Sequence, residues 1–272
     1  MAESETTPRR VAFEVDSDSE DLESVESDMT SLTSSIYNYV YENGRTYHSY
    51  RPGAYILPND EREQERLDLL HHVFRLCLDG RLCRTELTNP QKILDVGTGT
   101  GIWAIEVADD YPSAEVVGVD LSPIQPGWVA PNLRFFIDDV SQEWTFPSNS
   151  FDFIHAEFNR ISHANGRVFD LFPQFKGLLG DAAFTNIQVH QEVCPIGTWP
   201  KDSRLKEIGR YFRAQFLWGG VEAYSMALFT RFGGWSPEEV EVLLAEVRRE
   251  VKGNKMHIYT HCSFTTAEKP RN

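Results

Sequence analysis

Between positions 95 and 120 the chain sets out residues whose types and spacing suit a bound nucleotide. Asp95, Gly97, Gly99 and Gly101 stand at every second position, and Asp120 closes the next β-branched run. Glycines so placed let the backbone turn sharply and approach a ligand with no Cβ in the way. A strand, a glycine turn, a helix and a second strand that ends on a carboxylate make half of a nucleotide-binding α/β unit.

The flanking pattern supplies those elements. Ile93–Val96 is a short run, apolar except for Asp95, and reads as a buried parallel strand. From Ile102 the pattern turns helical, with Ile102, Ile105 and Ala108 at three-residue spacing, and Val116–Val119 is a second strand. A third follows over Asn132–Ile137, ending in Asp138, Asp139 and Val140, and a fourth over Phe151–Ala156. The glycine spacing excludes two common phosphate loops. A dinucleotide fingerprint that starts at Gly97 needs glycine at 102, where Ile102 stands, and no Gly-Lys-Ser/Thr ending makes a Walker A loop.

Asp95-x-Gly97-x-Gly99-x-Gly101 resembles the first motif of class I S-adenosylmethionine-dependent methyltransferases. That resemblance implies a Rossmann-like α/β core, a mostly parallel sheet with helices on both faces, and S-adenosyl-L-methionine as cofactor. In the family the glycine loop approaches the methionine part of the cofactor. The acidic residue that ends the second strand takes the ribose hydroxyls, and a carboxylate after the third meets the adenine amino group. Carried over, these roles assign cofactor binding to Asp95, Gly97, Thr98, Gly99, Gly101, Asp120, Leu121, Asp139 and Val140.

Further motifs narrow the resemblance to fungal methyltransferases of the LaeA type, a group of secondary-metabolism regulators and their biosynthetic relatives. They are Arg45-Thr-Tyr-His-Ser-Tyr, Tyr55-Ile-Leu-Pro-Asn-Asp, Leu69-Leu-His-His-Val-Phe, Ser122-Pro-Ile-Gln-Pro-Gly-Trp and Phe151-Asp-Phe-Ile-His-Ala, then Val193-Cys-Pro-Ile-Gly-Thr-Trp and Gly234-Trp-Ser-Pro-Glu-Glu-Val. The chain departs from the family pattern after Ala156. There it passes almost directly to Asn165-Gly-Arg-Val-Phe and Phe175-Lys-Gly-Leu-Leu, which resemble the helix before the sixth strand. A fifth-strand segment on the order of 50 residues is therefore expected to be absent, a length inferred from the usual αβ unit.

Methyl transfer asks mainly that nucleophile, methyl carbon and sulfur be held in line. A base helps when the acceptor must lose a proton. His155, at the end of the fourth strand, is the one weak candidate for that role, and the catalytic residues are otherwise unassigned. Tyr47, His48 and Tyr50 are candidates to close over the cofactor from an N-terminal arm.

The remaining elements follow from their caps and patterns. Asn59 or Asp60 caps a helix through about Leu78, whose apolar face (Leu67, Leu70, Phe74, Cys77, Leu78) is expected on the sheet. Phe184–Val193 alternates as a strand, and 202–231 is helical and aromatic, with a break at Gly219-Gly220, in the position of a substrate lid. Ser236 and Glu239 form a capping box with Pro237 at the first helical position, and Gly253 ends that helix. Met256–Thr266 is the last strand.

Composition bounds the rest. At 272 residues and 41% hydrophobic, the chain can bury one sizeable core. No stretch is apolar enough to span a membrane and no apolar leader opens the chain, so an intracellular protein, cytoplasmic or nuclear, is expected. The net charge of −15 argues against binding nucleic acid directly. Cys77, Cys83, Cys194 and Cys262 are scattered without a C-x-x-C pair and read as ordinary reduced thiols, with no metal site. Residues 1–36 hold ten acids against two arginines, a net −8, and read as a disordered tail. Ser17, Ser19, Ser24 and Ser27 lie among those acids, so the tail is a candidate for phosphorylation or for docking a protein partner. Residues 37–272 then form the methyltransferase domain, a cofactor half to 156 and a substrate or lid half beyond it. The function expected is methyl transfer to a small molecule, a secondary metabolite, or to a protein, with the acceptor unassigned. A catalytically weak cofactor-binding module that serves as a regulatory partner is the alternative.

Overall fold

A computed structural model describes residues 11–12, 39–48, 55–157 and 172–270. The described residues pack as two compact units, one of residues 11–12, 39, 48 and 87–157, the other of 40–47, 55–86 and 172–270. The segments 40–47 and 55–86 pack with the C-terminal half. Most of the acidic tail and Tyr50 lie outside the described residues.

The first unit is a five-stranded sheet. Its strands in chain order are β1 (Val11–Ala12), β4 (Lys92–Val96), β5 (Glu115–Asp120), β6 (Leu133–Ile137) and β7 (Phe153–Ala156), and their spatial order is β1-β6-β5-β4-β7. The last four pair in parallel, and β1 runs antiparallel on the β6 edge, with Val11 opposite Ile137. Helix α2 (Ile102–Asp110) connects β4 to β5 and packs on β5 and β6. Its buried positions are Trp103, Ala104, Val107 and Ala108. Ile102 and Ile105 are only partly buried, so the inward stripe is turned by one residue from the expected one. On the other face Leu94, Val96, Val117 and Val119 cluster with Phe136, Phe146 and Phe151. Within 157–183, residues 157 and 172–183 are described and hold no strand.

The second unit begins with the hairpin β2 (Val40–Glu42) and β3 (Arg45–Tyr47), followed by α1 (Glu61–Cys77). Asp60 is the N-cap of α1, accepting the Glu63 amide. The buried side of α1 packs on α4 (Ser203–Gln215) rather than on the parallel sheet expected from its pattern. Between α1 and α4 in sequence come α3 (Phe172–Asp181) and β8 (Thr185–Pro195). After α4 come a π-helical turn over Phe216–Gly220, which is the expected glycine break, α5 (Val221–Ala223), α6 (Met226–Phe232) and α7 (Pro237–Lys252). The capping box of Ser236 and Glu239 is formed in both directions. The last strand, β9 (Tyr259–Glu268), pairs antiparallel with β8, and the two make a separate two-stranded sheet.

Charge is buried in this unit. Arg66, with no exposed side-chain surface, reaches Glu63 at 2.7 Å, Gln215 at 3.1 Å and the Tyr224 hydroxyl at 2.8 Å. Arg45 forks onto Asp60 at 2.6 and 2.7 Å and meets Glu222 at 3.2 Å. The aromatics of the expected lid mostly join local cores: Tyr211 and Phe212 in one, Phe216 and Phe229 in another, Tyr224 in a third. Trp218 is the exception, at 55% exposed.

Candidate functional site

The glycine loop between β4 and α2 is held by backbone bonds to β5. The Gly97 and Thr98 amides both donate to the Val119 carbonyl at 2.9 Å, and the Gly101 amide donates to Thr98. Gly97, Gly99 and Gly101 all have positive φ, at 70°, 58° and 83°, where a side chain costs roughly 1–2 kcal/mol. Gly101 is confined as well. A Cβ there would strike the Phe135 ring, with Cε1 at 2.9 Å, and one on Gly118 would meet the same ring at 2.6 Å. At Gly97 nothing stands within 4 Å of an added Cβ, so the loop is open above that residue.

Asp120 ties the loop to the end of β5. Its Oδ2 accepts the Gly99 amide at 2.8 Å, and its Oδ1 accepts the Ser122 amide at 2.9 Å. Burial raises the carboxyl to about 6, against the Ser122, Gly99 and Leu121 amides that favour its ionised form. A carboxylate has about four lone-pair sites, so these three amides leave it room for a further donor. Leu121 follows, half-buried. Gln125, which sequence reasoning did not single out, donates through Nε2 to the Gly99 carbonyl at 2.6 Å and to the Ser122 carbonyl at 3.0 Å. Its only sequence signal is its place in the Pro-rich turn after Asp120.

Asp139 lies just beyond β6, buried, with Oδ1 accepting the Ser141 amide at 3.0 Å and the Ser141 hydroxyl at 2.6 Å. Val140 is 37% exposed, and its carbonyl accepts from Trp144 Nε1 at 2.9 Å. Asp120 and Asp139 thus end neighbouring parallel strands, the edge at which open α/β sheets bind ligands.

Asp95 is buried, and both its oxygens are engaged. Oδ2 accepts the Thr98 hydroxyl at 2.6 Å, and Oδ1 lies 2.7 Å from His155 Nδ1. Register brings the second pair together, since Asp95 stands directly opposite His155 between β4 and β7. Facing an acceptor-only carboxylate, Nδ1 carries the ring proton, which leaves Nε2 as the basic nitrogen. Trp103 stacks on the imidazole with centroids 3.8 Å apart and 5° between planes. Sequence reasoning found His155 but missed Trp103, which only the fold brings alongside. Tyr47 packs in the second unit beside Ile56, Leu57, Ala223 and Ala227, with Arg231 over its ring, and burial pushes its hydroxyl up to about 12. His48 is buried in the first unit.

These features fit S-adenosylmethionine. The loop is open where the family's cofactor passes, and hydrogen-bond acceptors end β5 and β6. Comparison with known proteins agrees. A methyltransferase domain family model matches residues 69–159. Methyltransferase pytC of Aspergillus terreus is 38% identical over 319 residues, covering 97% of both chains. Secondary metabolism regulator LAE1 of Cochliobolus heterostrophus is 32% identical over 86% of this chain and 95% of its own. Secondary metabolism regulator laeA of Aspergillus fumigatus is also 32% identical, over 86% of this chain and 78% of its own. The pytC alignment is longer than this chain of 272 residues, so at least 47 of its 319 positions face gaps here, in keeping with the segment missing after β7. The chain belongs to the LaeA-like branch of the S-adenosylmethionine-dependent methyltransferases.

Proposed function

We propose that this protein transfers a methyl group to a small molecule of fungal secondary metabolism. The preference for a small molecule over a protein rests on the 38% identity and near-complete mutual coverage with a relative named as a methyltransferase, above the 32% shared with either regulator. The observation that carries the cofactor reading is the bond from the Gly99 amide to Asp120, which sets loop and carboxylate in one cradle. In that cradle Gly97 and Gly99 would let the backbone approach, Asp120 would take the ribose hydroxyls, and Asp139 would take the adenine amino group. Asp95, Thr98 and Gly101 would hold the loop's shape, with Leu121 and Val140 flanking the two carboxylates.

The bound cofactor supplies an electrophilic methyl group, so the protein's task is placement. His155 is the proposed base. Asp95 would hold its Nδ1 proton, Trp103 would fix the ring, and Nε2 would take a proton from an acceptor hydroxyl or amine. The acidic tail is proposed to dock a protein partner. Incubating the full chain with methyl-labelled cofactor and fractionated fungal metabolite extract tests the reading. Label should enter a small-molecule fraction. Label found only in protein would make the acceptor a protein, and no label in either fraction would favour the weakly active regulatory module.

A further inference from the structure

Three of the four cysteines meet inside the second unit, although 117 and 68 residues separate them in sequence. Cys77 ends α1, Cys194 lies near the end of β8, and Cys262 lies in β9. Cys194 Sγ stands 3.5 Å from Cys77 Sγ and 2.7 Å from Cys262 Sγ, and all three sulfurs lie within 4.8 Å of one another. None is in a disulfide. Cys77 and Cys194 are buried and Cys262 is partly buried, against Val73, Ile208, Phe212 and Phe264. Cys194 is the middle sulfur. Its thiol donates to Cys262 Sγ, so the three sulfurs form one connected cluster. The Arg204 guanidinium is close, donating to the Cys77 carbonyl at 2.8 Å while it pairs with Asp79 and Glu192.

Thiolates are soft ligands that select zinc and cuprous ions. Sulfurs bound about 2.3 Å from a zinc ion stand roughly 3.8 Å apart. The Cys77–Cys194 separation is already near that value, and the Cys194–Cys262 pair would open by about an ångström, within reach of side-chain rotation. A disulfide would use only two of the three sulfurs, whereas a metal ion uses them all. We propose that Cys77, Cys194 and Cys262 form a three-thiolate site for a soft d10 metal ion, zinc or cuprous copper, that staples α1 to the β8–β9 sheet. Binding releases the thiol protons to solvent and changes no oxidation state. The site is separate from the methyl-transfer reading and stands or falls without it. Cys83 serves as an internal control, because its thiol donates to the Thr85 carbonyl at 3.1 Å and takes no part in the cluster.

The test uses the full chain, purified under reducing conditions and loaded with zinc or with cuprous ion in separate arms. About one equivalent of one of these ions should bind in competition with a chelator, and a cobalt-substituted sample should show thiolate-to-cobalt charge transfer. Cys83→Ser should keep that stoichiometry, whereas Cys77→Ser, Cys194→Ser and Cys262→Ser should lose it. If those variants do not fold, alkylation of the wild-type chain still decides: metal should protect three of its four thiols at least tenfold. Neither ion bound by the reduced chain, equal alkylation with and without metal, or a Cys194–Cys262 disulfide in metal-free protein would each overturn the proposal.

Discussion

Asp95 and His155 stand directly opposite each other on neighbouring parallel strands, carboxylate oxygen to ring nitrogen at 2.7 Å. The same carboxylate also accepts the Thr98 hydroxyl, so one buried acid links the glycine loop to the imidazole at the end of β7. If His155 acts as the base, His155→Gln should lower the methyl-transfer rate by about a hundredfold. Cofactor affinity should stay within twofold of wild type. A parallel loss of cofactor affinity would reduce His155 to a support for Asp95.

The three loop glycines should not respond alike to alanine. All three have positive φ, and Gly101 faces the Phe135 ring while nothing stands near an added Cβ at Gly97. Gly101→Ala should therefore cost clearly more stability than the roughly 1–2 kcal/mol of conformational strain expected at Gly97. Gly97→Ala should show its main effect in cofactor affinity. Chemical denaturation of the two variants measures the first difference, and equal losses would refute the packing role given to Phe135.

Acid should weaken the cofactor complex through Asp120, whose carboxyl burial raises to about 6. If only the ionised form serves the ribose hydroxyls, affinity should drop about tenfold between pH 7 and pH 5. Stability runs the other way. A carboxyl raised in the folded state contributes stability at low pH that is lost as pH rises through about 6. Binding measured across that range should lose the Asp120-linked step in Asp120→Asn, and an unchanged step would assign it elsewhere.

Arg66 is fully buried against Glu63, and burial raises the Glu63 carboxyl against the pull of Arg66. Removing the guanidinium alone, as in Arg66→Met, should cost about 3–5 kcal/mol, because it strands a buried acid. Replacing both partners, Arg66→Met with Glu63→Leu, should recover much of that. A loss below 1 kcal/mol for the single variant, read from urea unfolding, would show that Glu63 is satisfied without Arg66.

Turnover should be slow. At least 47 positions of the pytC alignment have no counterpart here, and if they include part of the acceptor's surroundings, a reaction that depends on placement loosens. An ångström of displacement is worth about a hundredfold in rate. Inserting the relative's segment after Ala156 should raise methyl transfer, and a wild-type rate equal to the relative's would mean that the shortening is harmless.

What the sequence revealed divides along the range of the interactions. The loop from Asp95 to Gly101 and its carboxylate at Asp120 are local, written as glycine spacing and strand ends, and the fold places them together. The capping box and the helix break at Gly219-Gly220 are local too. The Asp95–His155 pair depends on the β4–β7 register, and the thiol cluster depends on three elements far apart in the chain, so neither leaves a spacing signal. The partnering of α1 was misread for the same reason. Its apolar stripe says that it is covered, and only the tertiary packing names α4 as the cover.

Calorimetric titration of S-adenosylhomocysteine into the full chain, alongside Asp120→Ala, bears most directly on the cradle. Wild type should bind one equivalent. The variant should bind weaker by roughly 1.5–3 kcal/mol, the scale of hydrogen bonds to a charged group, with its fold intact by circular dichroism. Unchanged affinity in Asp120→Ala, or no saturable binding to the wild-type chain, would contradict the assignment of this glycine loop and Asp120 as the cofactor site.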